Sequence, residues 1–159
     1  MKYRYIIGID PDLTKSGFAV YDSQEKKMVQ CEALSFSELQ WKLKRFQPDC
    51  FVRLEAGWLI KKSNWRTAKK LGKKFSPSQA SSIAERQAKN VGENHATGKL
   101  IEQYLKENNI PYELVRPFGA TAFFRNTAMF QKTTGWSKRT NNDARSAAAI
   151  CWGVNKNQL

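Results

Sequence analysis

The first third of the chain holds three short runs of apolar residues, separated by polar turns. Residues 3–10 are rich in β-branched and aromatic side chains and end at Asp10 and Pro11, which predicts a strand followed by a turn. Residues 17–22 predict a second strand, and residues 27–34 alternate apolar with polar positions and predict a third. Because the turns between these runs are short, we expect an antiparallel meander of three strands.

A helical pattern follows the meander. Ser37, with Gln40 three positions later, matches a capping box, in which the two side chains satisfy the first free backbone amides of a helix. Leu39, Leu43 and Phe46 then recur at helical spacing. The sequence therefore predicts a first helix that Ser37 caps.

The rest of the chain alternates between strand and helix patterns. Gly and Pro mark its turns, and a long helical pattern stops at the sequence Asn-Asn-Ile-Pro. The predicted elements are a strand at 50–57, a helix at 79–108, a strand at 112–117 and an Ala-rich helix at 142–153. The order βββαβαβα predicts an α/β fold.

Three acidic residues occupy informative places in this order. Asp10 ends the first strand, Glu55 ends the fourth, and Asp143 lies near the start of the last helix. In open α/β sheets ligands bind beyond the strand ends, and Asp10 would face Glu55 if their strands are adjacent and parallel. Carboxylates without His or Cys favour Mg²⁺ or Mn²⁺, and two such ions can activate water and stabilise the leaving oxygen in phosphodiester hydrolysis.

Each of these residues also has an ordinary explanation. Asp10 before Pro11 is typical of a turn, Glu55 before Ala-Gly is typical of a solvated strand end, and Asp143 is typical of the negative charge found at helix starts. Only the joint placement of the three favours a metal site.

The charge of the chain indicates its partner. The 159 residues contain 27 Lys and Arg against 14 Asp and Glu, a net charge of +13, which implies a polyanion and most directly a nucleic acid. No apolar run approaches the ~20 residues that cross a bilayer, and the N-terminal segment lacks a secretory signal pattern, so we expect a cytoplasmic protein without membrane contact. The three cysteines are widely spaced, so we expect small buried side chains rather than disulfides or a zinc site.

Basic and aromatic residues are concentrated between the fourth strand and the long helix. This segment contains no acidic residue, and its cations would contact DNA phosphates while its aromatic rings stack on unpaired bases. A solvated charged surface, and for Trp58 a place in the core, are the alternatives. The predicted DNA contacts are Lys61, Lys62, Trp65, Arg66, Lys69, Lys70, Lys73, Lys74 and Phe75.

The sequence resembles the RuvC-type Holliday junction resolvases of the RNase H-like superfamily, and in particular their phage-encoded branch. GIDPDLTKSGFAVYD resembles the first motif of that family, VRLEAG the second, and NDARSAAAICWG the final Asp-Ala helix. The resemblance implies a mixed five-stranded sheet flanked by helices, a homodimer, and Mg²⁺ held by Asp10, Glu55 and Asp143. It also implies that residues 1–159 form one nuclease domain, with a basic flap at about 58–78 that inserts at the junction centre.

Two positions depart from the family pattern. Thr140 stands three positions before Asp143, where the family usually has an acidic residue or His, so the site has three carboxylates and the remaining ligands are open. The first turn reads Pro-Asp-Leu, and its Asp12 either caps that turn or reaches the metal ions.

Two further residues are assigned by the resemblance and by position. The loop at 132–139 resembles the one that delivers a Lys to the scissile phosphate, and Lys138 is the candidate, either to stabilise the transition state or only to contact the DNA backbone. His95 lies within the long helix pattern, where we expect a surface or packing role away from the carboxylates.

The predicted function is a structure-selective, Mg²⁺-dependent endonuclease that cuts branched double-stranded DNA, such as Holliday junctions and forks. A homodimer would form through Ala84, Ala88 and Val91 of the long helix. The alternatives are a junction-binding module with weakened or no catalysis, an RNase H-type nuclease for RNA–DNA hybrids, and an ATP-binding relative, which the chain is too short to support.

Overall fold

The computed structural model describes residues 3–60, 74–117 and 124–154. A short 3₁₀ turn follows the fourth strand, and the remaining elements are regular. In chain order they are β1 (Tyr5–Asp10), β2 (Ser16–Asp22), β3 (Lys27–Leu34), α1 (Phe36–Phe46), β4 (Cys50–Glu55), the 3₁₀ turn (Gly57–Leu59), α2 (Pro77–Glu107), β5 (Tyr112–Val115), α3 (Thr127–Thr134) and α4 (Asn142–Cys151).

The strands form one mixed sheet of five in the order β3-β2-β1-β4-β5. β1 pairs antiparallel with β2, which pairs antiparallel with β3, so the predicted meander is confirmed. β1 also pairs parallel with β4, and β4 pairs parallel with β5. The predicted mixed five-stranded sheet flanked by helices is therefore confirmed.

Helices cover both faces of the sheet, because successive side chains of a strand point to opposite faces. On one face Ile7 and Ile9 of β1 pack in a cluster with Leu39 of α1 and with Ile101 and Leu105 of α2. On the other face α3 and α4 complete a second cluster, which comprises Ile6, Ala19, Tyr21, Met28, Cys31, Phe124, Phe130, Ala144, Ala147, Ala148, Ala149 and Cys151.

Two glycines let α4 lie directly on the sheet. A Cβ added at Gly8 would lie 2.0 Å from the carbonyl oxygen of Ala147, and one added at Gly17 would lie 2.0 Å from that of Asp143. Real Cβ atoms do not come so close to a backbone oxygen, so only glycine fits here. The Ala-rich side of α4 completes the close packing, and the contact at Gly17 fixes where Asp143 stands.

The boundaries of two helices differ from those predicted. α1 is capped by Ser35 and not by Ser37: Glu38 N donates to Ser35 Oγ at 3.4 Å, and Ser35 N donates to Glu38 Oε2 at 2.8 Å. Ser37 lies inside the helix. α2 begins at Pro77 rather than at residue 79, because Ser76 caps it and proline fits a first helical position.

α3 was not expected. Asn126 caps it by accepting a hydrogen bond from Met129 N at 3.1 Å, and Gly135 ends it in the left-handed conformation. Because Lys132 lies in its last turn, the expectation of one continuous loop over residues 132–139 is wrong.

The cysteines meet a simpler expectation. Cys31, Cys50 and Cys151 are all buried and free, as small core side chains are expected to be. None of the helices within the described ranges is long and apolar enough to cross a membrane.

Candidate active site

Asp10 and Glu55 stand side by side at one edge of the sheet. β1 and β4 are adjacent and parallel, and Ile9 of β1 is paired with Leu54 of β4, so the next residue on each strand is Asp10 and Glu55. Both side chains therefore leave the same face of the sheet, from strands ~4.8 Å apart. The placement expected from the sequence is confirmed for this pair.

Asp143 reaches the same edge from α4. Its carbonyl lies against Gly17, which is the β2 residue paired with Asp10. Asn141 caps α4 by accepting a hydrogen bond from Ala144 N at 2.9 Å, and its Nδ2 donates to Asp143 Oδ2 at 3.3 Å. The helix start, the cap and the glycine contact together bring the third carboxylate towards Asp10.

The negative charges of Glu55 and Asp143 disfavour the ionised form of Asp10. The pKa of Asp10 is raised from 3.8 to about 7, first by burial and then by the negative charges of Glu55 and Asp143, although a hydrogen bond from Ser146 opposes the rise. The pKa of Asp143 is also raised, first by burial and then by the charge of Asp12. The site thus concentrates negative charge that a bound cation would compensate.

Arg125 is a cation at this site, and sequence reasoning missed it. Its charge lowers the pKa of both Asp10 and Asp143, and its side chain lines the same cleft as Asp10 and Glu55. It lies just before α3, in a stretch of sequence without a regular pattern. The chain contains 27 Lys and Arg residues, and no motif distinguished Arg125 from the others.

These groups border a cleft of about 260 Å³, which we call the carboxylate cleft. It opens beyond the carboxyl ends of β1 and β4, where α/β sheets bind ligands. Its lining residues are Asp10, Pro11, Glu55, Gly57, Trp58, Val91, Asn94, His95, Pro117 and Arg125.

His95 belongs to this cleft, so the expectation that it lies away from the carboxylates is wrong. Its ring packs edge-on against Trp58, with ring centroids 6.2 Å apart, as the expected packing role requires. A Cβ at Gly57 would lie 2.9 Å from His95 Nε2, so the turn after β4 is in close contact with α2. No local sequence pattern predicts this contact, which places His95 in the wall of the carboxylate cleft.

Asp12 caps the turn between β1 and β2. Its Oδ1 accepts hydrogen bonds from Thr14 N at 2.9 Å and from Thr14 Oγ1 at 2.8 Å. These contacts and a hydrogen bond from the Asn94 side chain lower its pKa, although burial acts in the opposite direction and is the largest single influence. Of the two roles considered for Asp12, the structure shows turn-capping.

Thr140 contacts a buried arginine. Arg145, only 6% exposed, donates from Nη1 to Thr140 Oγ1 at 2.9 Å and from Nη2 to Asn142 Oδ1 at 2.6 Å. Arg145 Nη2 also donates to the carbonyl oxygen of Arg125 at 3.2 Å. One guanidinium therefore joins the segment that precedes Asp143 to the backbone of Arg125.

Lys138 lies at a different cleft. Its Nζ is 5.6 Å from the centre of the Trp136 ring, and with Trp136, Arg139 and Lys42 it lines a cleft along residues 29–32 of β3, which we call the β3 cleft. It is not among the residues that line the carboxylate cleft in the described ranges. A catalytic role for Lys138 stays a prediction.

Most of the predicted DNA-contacting segment lies outside the described residues. Lys74 and Phe75, at the end of this segment, are described and exposed, and 44% of the Phe75 surface is accessible to solvent. The contacts predicted for Lys61, Lys62, Trp65, Arg66, Lys69, Lys70 and Lys73 lie outside the described residues.

The donor set suits a hard divalent cation. Asp10, Glu55 and Asp143 offer only carboxylate oxygens, which Mg²⁺ and Mn²⁺ prefer, and the charges of Glu55 and Asp143 add to the burial that raises the pKa of Asp10. Within residues 3–60, 74–117 and 124–154, no three His, Cys, Asp or Glu side chains are already grouped as metal ligands. Binding an ion would therefore require these carboxylates to turn towards it.

Comparison with known proteins supports the fold. No protein-family model matches the chain, and a search of curated proteins gives no match. Among solved structures, the RuvC of T. thermophilus in complex with a Holliday junction substrate is similar, with a TM-score of 0.56 and 16% identity over 93% of this chain and 90% of that one. At this identity the likeness establishes a shared RuvC-like, RNase H-like fold.

Proposed function

We propose that this protein is a divalent-metal-dependent endonuclease that cuts branched DNA, such as Holliday junctions and forks. The observation that carries the proposal is the convergence of Asp10, Glu55 and Asp143 at one edge of a RuvC-like sheet. The structural neighbour, which was solved with a Holliday junction, supports branched DNA as the substrate class. The net charge of +13 supports a polyanionic partner.

In this proposal each residue at the cleft has a distinct task. Asp10, Glu55 and Asp143 would hold Mg²⁺ or Mn²⁺, which when bound activates water and stabilises the leaving oxygen. Ser146 keeps the Asp10 carboxylate oriented by its hydrogen bond. Arg125 would contact the scissile phosphate, since its charge acts on Asp10 and Asp143 and its side chain lines the same cleft.

The remaining features suit a junction-cutting role. Lys74 and the exposed Phe75 lie just before α2 and belong to the predicted basic flap at about 58–78, which would contact DNA. We propose that residues 1–159 act as one nuclease domain in the cytoplasm, in a bacterial host if the chain is phage-encoded.

A homodimer would give paired cuts in a symmetric junction. The three residues proposed for its interface lie on α2, where Ala84 is half-buried, Ala88 is exposed, and Val91 keeps 40% of its surface exposed. Apolar side chains exposed on one helix suit an interface between two copies. A monomeric mass by light scattering at micromolar concentration would contradict this part of the proposal.

A junction-binding module without catalysis is the second candidate. It is favoured by Thr140, whose hydroxyl accepts a hydrogen bond from Arg145 where related enzymes usually have an acidic residue or His. A third candidate, an RNase H-type nuclease, can be distinguished from the proposed enzyme by its substrate, because it would cut RNA–DNA hybrids in preference to branched DNA.

Cleavage of labelled four-way, forked and hybrid substrates, with EDTA, Mg²⁺ or Mn²⁺, tests these candidates. Metal-dependent cutting of branched DNA that is lost in Glu55→Gln and kept in Glu107→Gln supports the proposal. Glu107 is a matched control because it is exposed at the far end of α2. Tight junction binding without cutting in any metal would instead establish the binding module.

A further inference from the structure

The β3 cleft is a second concave site that the proposed reaction does not use. β3 is the last strand on its side of the sheet, and the cleft beside it has a volume of about 350 Å³, large enough for one nucleotide. Its walls come from residues 29–32, from Lys42 of α1, and from Trp136, Lys138 and Arg139 after α3. None of these residues lines the carboxylate cleft within the described part of the chain.

Two residues of this cleft carry a buried polar atom without a partner. In the ranges that the structure describes, only three buried side-chain polar atoms lack a hydrogen bond, and two of them are Gln30 Oε1 and Trp136 Nε1. One is an acceptor and the other a donor. Buried polar groups are normally paired, so this combination indicates a partner that offers both a donor and an acceptor.

The mouth of the cleft is positively charged. Lys42 is paired with Glu32 at 2.8 Å, whereas Lys138 and Arg139 have no ion-pair partner among the described residues. Lys138 lies over the Trp136 ring, with Nζ 5.6 Å from the ring centre. Two unpaired cations beside an aromatic ring are a common arrangement for binding a phosphate that carries a planar base.

We propose that the β3 cleft binds one unpaired nucleotide of the DNA, with its base between Gln30 and Trp136 and its phosphates at Lys138 and Arg139. A base that is already paired has used the donor and acceptor on its edge, and a duplex is too wide for the cleft. Gln30 and Trp136 are both half-buried, so a modest side-chain rotation brings their covered polar atoms to the base. This proposal rests on the proposed function in one respect, which is that the nucleic acid bound is DNA.

The cleft is connected to the carboxylates by a short, anchored segment. Arg139 and Asp143 are four residues apart, so their Cα atoms lie within ~14 Å of each other. Between them Thr140 is held by Arg145, which also contacts its carbonyl oxygen at 3.3 Å. A strand whose phosphate is bound at Arg139 is therefore close to the cutting site, and the cleft would favour DNA with unpaired nucleotides near the cut.

Binding of single strands to the full-length protein in EDTA tests the proposal. The probes are a labelled hexamer of thymidylate and the same hexamer with every base removed, measured by fluorescence anisotropy. We expect Trp136→Phe and Gln30→Met each to reduce the preference for the base-containing strand about five- to tenfold. Affinity for the abasic strand should not change. Substituting both Lys138 and Arg139 with Gln should weaken the binding of both strands. It should also reduce the slope of log affinity against log salt concentration by about 1 to 2.

Controls separate this effect from loss of folding. Trp136→Phe and Gln30→Met each remove an unpaired buried polar atom, so the thermal stability of these two variants should be kept or increased. Trp41→Phe, at an exposed tryptophan of α1, should bind both strands as the original chain does. The proposal is overturned if Trp136→Phe and Gln30→Met leave the base preference unchanged, or if they weaken both strands equally. EDTA prevents cutting, so the result does not depend on whether the chain is a nuclease. The proposal for the β3 cleft can therefore hold for a chain that never cleaves DNA, and it can fail for a chain that does.

Discussion

Replacement of Asp10 by Asn should stabilise the protein, by an amount that depends on pH. The pKa of Asp10 is raised from 3.8 to about 7, so ionising this carboxyl costs more in the folded chain than in the unfolded chain. One pKa unit corresponds to ~1.4 kcal/mol, and the rise therefore costs the folded state up to ~4 kcal/mol. The cost is absent below pH 3.8, grows as the pH rises towards 7, and is constant above it.

Urea unfolding of the original chain and of Asp10→Asn in EDTA, at pH 4, 6 and 8, measures this effect. We expect a gain in the free energy of unfolding below ~1 kcal/mol at pH 4 and up to ~4 kcal/mol at pH 8. The larger gain corresponds to a rise in Tm of ~10 °C for a chain of this size. Mg²⁺ should stabilise the original chain and narrow the difference, because binding to the folded state alone is stabilising.

Asp49→Asn is the matched control. Asp49 is exposed just before β4, so the same change of side chain should give a small difference at every pH. If the gain from Asp10→Asn is the same at pH 4 and pH 8, or if the variant is destabilised at pH 8, burial and the neighbouring carboxylates do not raise the pKa of Asp10 as the structure indicates.

Three other substitutions have expected outcomes. Arg125→Gln should lower cleavage about 10- to 100-fold with Tm unchanged, since its exposed guanidinium acts on the site and not on the core; equal cleavage rates would refute its role. Gly17→Ala should cost about 1–3 kcal/mol in urea unfolding and reduce cleavage, because a Cβ has no space there, whereas Gly92→Ala, where space is open, should be neutral or stabilising. Burial is the largest single influence on the pKa of Asp22 and raises it, but the hydrogen bond from Arg4 and the backbone hydrogen bonds from Gln24 and Glu25 together lower the pKa below its usual value. Asp22 therefore stabilises the fold above about pH 4 and loses this contribution as the pH falls. Asp22→Asn should therefore reduce the loss of stability seen in acid titration, and an unchanged profile would contradict the assignment.

Local sequence patterns were sufficient where a residue's place depends on its own element. Asp10 and Glu55 could be predicted to face each other because each ends an apolar strand, and adjacent parallel strands bring such ends together. The cap of α1 was misplaced because the pattern of Ser followed three positions later by Glu or Gln occurs twice around the start of this helix, and Ser35 with Glu38 forms it in the structure.

The residues that were missed depend on contacts between distant parts of the chain. Arg125 and His95 reach the carboxylate cleft only because α2 and the segment before α3 pack against the sheet edge. His95 packs closely against Gly57, and neither a charge pattern nor a hydrophobic periodicity in the sequence indicates this contact. Reasoning from one sequence detects periodicity along the chain, and it does not detect which surfaces meet.

The close contact between Gly17 and the carbonyl of Asp143 has a consequence for the order of folding. These residues are 126 positions apart, so their contact forms only when both ends of the sheet-and-helix core have come together. A chain in which α4 has not docked keeps its basic surface but lacks its third carboxylate. Under the proposed function, partly folded molecules would therefore bind nucleic acid without cutting it, and cleavage activity would measure the fraction of molecules whose folding is complete.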